Sequence, residues 1–375
     1  MRNLFQLIII ILFVNTSFAQ QPCNDDVLLN TKGGWKKTSD ALMETGNQSQ
    51  VISRIDKMQK ILQTTYPAPQ GIEARWDRTM VNDPLIINGP TPYQLMAMFL
   101  IYYCMSEKEM VLGDETSTWF YVYANHFNWF MEYNHDFTVH KNPVYLLTKK
   151  VGEIRGYPVY EGINNGTSNT GTTYSRAVII TRQGQSPYVP VTQKQYLKAF
   201  LLYNEKRFVE SLAFETNRTV KTDAQEEEEK KQGWEYLAKF YKADAVERRK
   251  ADYLKNYQTD KQRKEAQIAW IKKDYEDRMK PVQDLLANST AQELGQPAIV
   301  DDIDFLRFRE FSTEAKGGRQ VVSLNPGYFD SKLPKYVPQF LIVYWRWEKN
   351  KASENFKDQL EANFNFNALK EMIDK

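Results

Sequence analysis

The sequence predicts an α+β fold: an antiparallel sheet with packed helices, interrupted by a long charged helical insertion that forms a hairpin or a single rod. Three observations carry this. Short apolar segments separated by turn residues run from Val144 to Val191 and again from Val321 to Trp347, the spacing of strands. From Trp234 to Lys280 there is neither glycine nor proline, and charges of both signs alternate. Between these regions, Thr192 followed by Gln195 forms a capping box ahead of an apolar stripe, which starts a helix.

In chain order, the first element is an export signal. Met1 and Arg2 precede an apolar run from Leu4 to Val14, and Ser17, Phe18 and Ala19 supply the small-residue site for cleavage after Ala19. A run of roughly 11 residues is too short for a ~30 Å hydrocarbon core, so a transmembrane anchor is not expected. Gln20, Gln21 and Pro22 stand where a lipobox would precede Cys23, which argues against a lipoprotein. The expected product begins at Gln20 and works in the periplasm or outside the cell.

Residues 38 to 65 read as helical, with Leu42, Val51, Ile55, Met58, Ile61 and Leu62 near a 3.6-residue period and Gly46 as a point of division. Thr91 caps what reads as a buried helix over Pro92 to Met105. Trp119 to Phe137 is dense in aromatics and reads as a strand followed by a helix or loop. Strands follow at Val144 to Thr148, Tyr157 to Tyr160, Ala177 to Thr181 and Tyr188 to Val191, with Gly162 to Thr173 as a flexible loop.

The helix opened by Thr192 carries Tyr196, Leu197, Phe200, Leu201, Phe208 and Leu212 and is expected across the sheet. Beyond Glu226 the charged insertion begins. Pairs such as Asp244 with Arg248 and Asp274 with Arg278 support an exposed helix. Ile268, Ile271, Tyr275, Met279, Val282 and Leu286 step by three and four, the pattern of a seam for another helix. The polar stretch Gln258 to Gln262 divides the insertion, and a hairpin lets its halves cover each other better than a rod does. The strands after Pro297 then complete the earlier sheet. The expected organisation is a signal over 1–19, an α+β body over 20–225 and 288–375, and a helical arm over 226–287.

Composition narrows function mostly by exclusion. Charge is balanced, 49 basic residues against 47 acidic, so neither nucleic acid nor an anionic membrane is an implied partner. Two cysteines in an exported chain predict a Cys23–Cys104 disulfide closing a loop of ~80 residues, with two separate thiols as the alternative. The 8 Trp, 22 Tyr and 20 Phe either fill a core or line a sugar-binding face, and core filling is the commoner use. Trp345 and Trp347 alternate with Tyr344 and Arg346 on the last strand and face the same choice.

The sequence carries no nucleophile elbow, His-Glu-x-x-His, Walker A or dinucleotide motif, and no cofactor is expected. No catalytic residue is assigned. The three histidines, His126, His135 and His140, lie together, and Glu132 three before His135 suits a metal if that segment is a helix; His126, Glu132 and His135 are the weak metal candidates. Acidic groups at Asp114 and Glu115, and at Asp301, Asp302 and Asp304, are most simply solvated loops.

Two functional readings follow. The first is a non-catalytic exported protein binding a protein partner through its arm, with Ile271, Tyr275 and Met279 as the contact residues. The second is a secreted hydrolase or carbohydrate-binding protein using the aromatic and histidine region 119–140.

Overall fold

The computed structural model describes residues 23–375 apart from 39, 41–46, 81–84, 86–87, 108, 128–130, 164, 169–170 and 302–306, and gives the backbone alone for 132–136 and 168. The expected signal over 1–19 and the division at Gly46 lie outside the described residues. The chain opens with α1 (Asp25–Asn30), β1 (Trp35–Lys37), α2 (Gln48–Thr65), β2 (Ile72–Met80), β3 (Tyr93–Ser106), β4 (Glu109–Leu112) and β5 (Trp119–Ala124). It continues with β6 (Met131–Val139), β7 (Asn142–Leu147), β8 (Lys150–Ile154), β9 (Tyr157–Glu161), β10 (Gly166–Ser168), β11 (Gly171–Ile180) and β12 (Tyr188–Pro190).

Then come α3 (Gln193–Asn217), α4 (Asp223–Ala238), α5 (Ala243–Lys255), α6 (Asp260–Asn288) and α7 (Ala291–Leu294). The chain closes with β13 (Ile299–Val300), β14 (Arg319–Leu324), β15 (Leu341–Glu348), α8 (Lys351–Asn363) and α9 (Phe366–Lys370).

Two sheets result, and each is completed from beyond the arm. The large one runs β1-β2-β3-β5-β15-β11-β9-β8, with β4 on β3 and β10 on β11; the small one runs β12-β14-β7-β6, with β13 on β14. All pairs are antiparallel except β1 with β2. β15 enters between β5 and β11, pairing Val343 with Val122 and with Val178, and β14 enters between β12 and β7. The body on the two sides of the arm is therefore one folding unit.

Side-chain alternation stacks these elements in four layers. On β5, Phe120, Val122 and Ala124 face α2, α8 and α9 and join Val51, Ile55, Met58, Leu62, Phe356 and Leu360 in one core. Tyr123 faces the other way, into a second core shared by Ile342 and Tyr344 with Tyr145, Val322 and Leu324 of the small sheet. The far face of the small sheet, with Val144, Leu146 and Val321, packs on Tyr196, Leu197, Phe200 and Val282. Burying side chains of this size contributes roughly 1.5–3 kcal/mol each, offset largely by ordering entropy. Trp345 and Trp347 are both buried in the first core, so they fill rather than bind.

Three expectations need correction. Pro92 to Met105 is not a helix: Tyr93–Ser106 is one long strand in the middle of the large sheet. Its inner face is Tyr93, Leu95, Ala97 and Phe99, but the half-buried face holds Met96 and Met98, where a polar residue would have shown a two-residue period. The segment after β5 is a second strand, β6, rather than a helix or a loop alone. The supposed flexible loop 162–173 contains a hairpin, with Gly166 opposite Thr173 and Ser168 opposite Gly171.

The N-terminus is tied down by a disulfide between Cys23 and Cys104, Cα atoms 5.7 Å apart and 81 residues apart in sequence. Gly71 shows how closely α1 is held: its φ is +72°, and an added Cβ would lie 3.2 Å from the Leu28 carbonyl oxygen and 3.1 Å from Ala352 Cβ. No helix among the described residues is long and apolar enough to cross a membrane.

Candidate interaction surface on the helical arm

The arm is built differently from a self-contained insertion over 226–287. Its shaft is α3 packed antiparallel on α6, and α4 with α5 forms a separate hairpin at the far end. Gln258 to Gln262, expected to be the turn of a hairpin, is where α5 gives way to α6: Thr259 caps the new helix and accepts from the Gln262 backbone N–H. The Thr192 box caps α3 in the same way.

The seam residues are occupied from within the chain. Ile271 and Met279 are buried, and the Tyr275 ring stacks on Phe208 of α3 with centroids 4.2 Å apart. Arg278 donates to Asn204 Oδ1 at 3.1 Å, fixing the same helix pair. Further along, Val282 is fully buried in the core beneath the small sheet. Tyr275 and Met279 thus help to hold the shaft together, and Ile271, although buried, lines the cavity beside Trp270.

An elbow of charged groups joins hairpin to shaft. The Asp260 carboxylate accepts from Arg218 Nη1 at 2.9 and 3.1 Å and from the Lys221 backbone N–H at 3.0 Å. Glu226 accepts from the Asp260 N–H and the Tyr257 hydroxyl. Lys264 Nζ reaches the Thr216 and Arg218 carbonyls at 2.7 and 2.8 Å, satisfying the end of α3. The Lys221 N–H and the Arg218 guanidinium hold the Asp260 pKa below the ordinary carboxylate range. The Tyr257 hydroxyl and the Asp260 N–H do the same for Glu226.

What the arm leaves open are other apolar side chains. On the shaft, Trp270 of α6 is 55 % exposed beside a cavity of about 270 Å³ whose lining includes Arg207, Ser211, Asp274 and Arg307. Asp274 pairs with Arg278 and lies 3.8 Å from Arg307, so the guanidinium side outweighs the single carboxylate. On the hairpin, Tyr236, Phe240, Tyr241, Tyr253 and Leu254 are exposed. These groups and Trp270 make up most of the large apolar side chains exposed on the arm.

The second sequence-derived site rests on Glu132 and His135, whose side chains lie outside the described residues. The backbone there is strand β6 and not a helix, so the helical-spacing argument that paired them no longer applies. His126 follows β5 outside any strand, and His140 sits in the β6–β7 turn with its Nε2 3.2 Å from Gln195 Nε2. Among the described residues, no group of three or more His, Cys, Asp or Glu is placed to hold a metal ion. Asp114, Glu115 and Asp301 are exposed, and Asp302 and Asp304 lie outside the described residues.

The aromatics of β5 spend their faces on one another: Trp119 stacks on Tyr121 at 6.0 Å and Tyr121 on Tyr123 at 5.3 Å, with interplanar angles of 13° and 9°. A middle ring flanked on both sides has no face left for a sugar.

Comparison with protein families, with curated proteins and with solved structures finds no match for this chain. Reading the sequence missed α3 as half of the shaft, Trp270, and the aromatic turn between α4 and α5. The last had a signal: Lys242 stands where a helix needs a capping acceptor.

Proposed function

We propose that this is an exported, non-catalytic interaction protein that captures a protein partner along the shaft of its helical arm. The observation that carries the reading is Trp270, exposed beside a cavity with Arg207 and Arg307 on its walls. Tryptophan and arginine are the side chains that dominate binding energy at protein interfaces, and a small cavity beside them accepts an anchor from the other side. The excess of guanidinium groups favours a partner segment that brings a carboxylate with its apolar anchor.

The cavity beside Trp270 is also lined by Phe208 and Ile271, so this contact adjoins the Ile271 end of the seam, while Tyr275 and Met279 stay engaged within the chain. A pull-down from the native envelope with the full chain is expected to recover a protein that Trp270→Ala releases and Arg307→Asp weakens. Equal recovery by both variants would remove the shaft as the contact surface.

A further inference from the structure

The helices between 193 and 294 follow one rule with one exception. Thr192, Thr222, Thr259 and Thr290 each cap a helix through a box closed by Gln195, Gln225, Gln262 and Glu293. The exception is α5, which starts at Lys242 with no side-chain cap. A lysine offers no acceptor to the free N–H groups of a first turn, and its charge meets the positive end of the helix dipole. A chain that solves the same local problem four times in one way, and breaks the solution once, has another use for that position.

The surroundings indicate the use. Lys239, Phe240, Tyr241 and Lys242 make the whole turn between α4 and α5, two aromatics bracketed by two ammonium groups. Phe240 is 65 % exposed, and its ring lies 5.0 Å from that of Tyr236, itself 60 % exposed. Neither Lys239 nor Lys242 makes an ion pair among the described residues, whereas Arg248 and Lys250 on the same hairpin are matched with Asp244 and Glu247. The turn stands at the end of α4, roughly 24 Å of helix from the elbow.

Exposed rings beside unmatched lysines fit the headgroup layer of an anionic bilayer, where the ring sits at the apolar boundary and the ammonium meets lipid phosphate. A second copy of the chain fits less well, because a two-fold contact at the turn would set Lys239 and Lys242 against their own images. The near-zero net charge of the whole chain does not oppose this, since screening confines the relevant charges to those within about 8–10 Å of the surface.

We infer that the turn Lys239–Lys242 docks on an anionic lipid surface, seating Phe240 and Tyr241 among the headgroups with the two lysines on lipid phosphates. The contact is peripheral and reversible, and it is separate from the shaft surface around Trp270.

Flotation of the full chain from Gln20 with vesicles tests it. The protein is expected to float with phosphatidylcholine vesicles holding about one-third phosphatidylglycerol, not with phosphatidylcholine alone, and to be released by roughly 0.5 M salt. Phe240→Ser with Tyr241→Ser, and separately Lys239→Glu with Lys242→Glu, are each expected to lower partition about tenfold or more. Phe240→Trp should gain a blue-shifted emission, over the unsubstituted chain, only with the anionic vesicles.

Lys242→Thr separates docking from folding: it supplies the missing cap, so hydrogen exchange in the first turn of α5 should slow while vesicle partition falls. Absence of flotation, or flotation indifferent to these substitutions, overturns the inference. So does a concentration-dependent dimer that Phe240→Ser abolishes, which would give the turn to a second copy. Trp270→Ala should leave flotation unchanged, so this result and that of the shaft pull-down stand or fall apart.

Discussion

Asp77 is a carboxyl that the fold buries with little compensation. It is 8 % exposed on β2 and, among the described residues, accepts one hydrogen bond, from Thr79 Oγ1 at 3.0 Å. Burial pushes its pKa up, Asp40 nearby adds to the rise, and Thr79 offsets only part of it. Four residues earlier Glu73 is as deeply buried, yet Lys36 and Arg75 at 2.5 and 2.9 Å more than cancel the desolvation and leave its pKa lowered. The raised pKa of Asp77 means that its ionised form is penalised in the folded state. That penalty is absent below the unfolded pKa and fully present above the folded one. Asp77→Asn keeps an acceptor for Thr79 and removes the charge. It should therefore raise the melting temperature at about pH 7 and leave it unchanged near pH 3. A lower melting temperature at neutral pH would show that the charge has a favourable role.

At the scale of elements, the elbow decides whether the hairpin moves with the shaft. Glu226 and Asp260 are held ionised by N–H, hydroxyl and guanidinium donors, so their folded pKa values lie below the ordinary ones. The stabilisation they give is present above the unfolded carboxylate pKa and is lost as pH falls through the depressed folded values. Backbone hydrogen exchange in α4 and α5 should accelerate, after correction for intrinsic rates, below about pH 4, while α2 and β15 stay protected. Asp260→Asn should produce the same loosening at neutral pH. If the hairpin and the body open together instead, the elbow is not a separate unit.

The elbow also shows what a sequence displays and what it hides. The capping boxes at Thr192 and Thr259 and the break at 258–262 are local, and were readable because a cap acts within three residues. The choice of α3 as the partner of the Ile271 seam is a contact between residues 67 positions apart, Phe208 and Tyr275, and periodicity shows that a seam exists without showing what fills it. For the same reason β3 was misread: Met96 and Met98 suit a helix as well as a half-buried sheet face, and only the neighbours β2 and β5 decide between them. Of the candidate surface, the charged helices were legible, and the exposure of Trp270 and Phe240 was not.

For the whole molecule, the question is which part of the arm is removable. The four layers share residues with the arm unevenly: α6 begins at the elbow, but its last turns carry Val282 into the core with Tyr196, Phe200 and Val321. Deleting 226–287 removes Met279 and Val282 from the interior and leaves α3 with a bare face. At roughly 1.5–3 kcal/mol for each such side chain, together with the lost Phe208–Tyr275 stack, the cost approaches the 5–15 kcal/mol that holds an ordinary domain together. That deletion should leave the body unfolded.

A cut at the elbow is different. The Lys221 N–H lies 3.0 Å from the Asp260 carboxylate, so the chain leaves and re-enters at nearly the same point, and a few glycines can replace residues 222–257. The hairpin removed in this way is mostly surface, with Val246 and Glu226 the buried residues on α4 and α5. The shortened protein should melt within a few degrees of the full chain. It should also keep the Cys23–Cys104 disulfide, keep the shaft contact and lose flotation with anionic vesicles. A body that collapses when only 222–257 is removed would mean that the hairpin folds back on the shaft to stabilise it. In that case its exposed aromatics would have to be read as packing that the extended arm leaves unused.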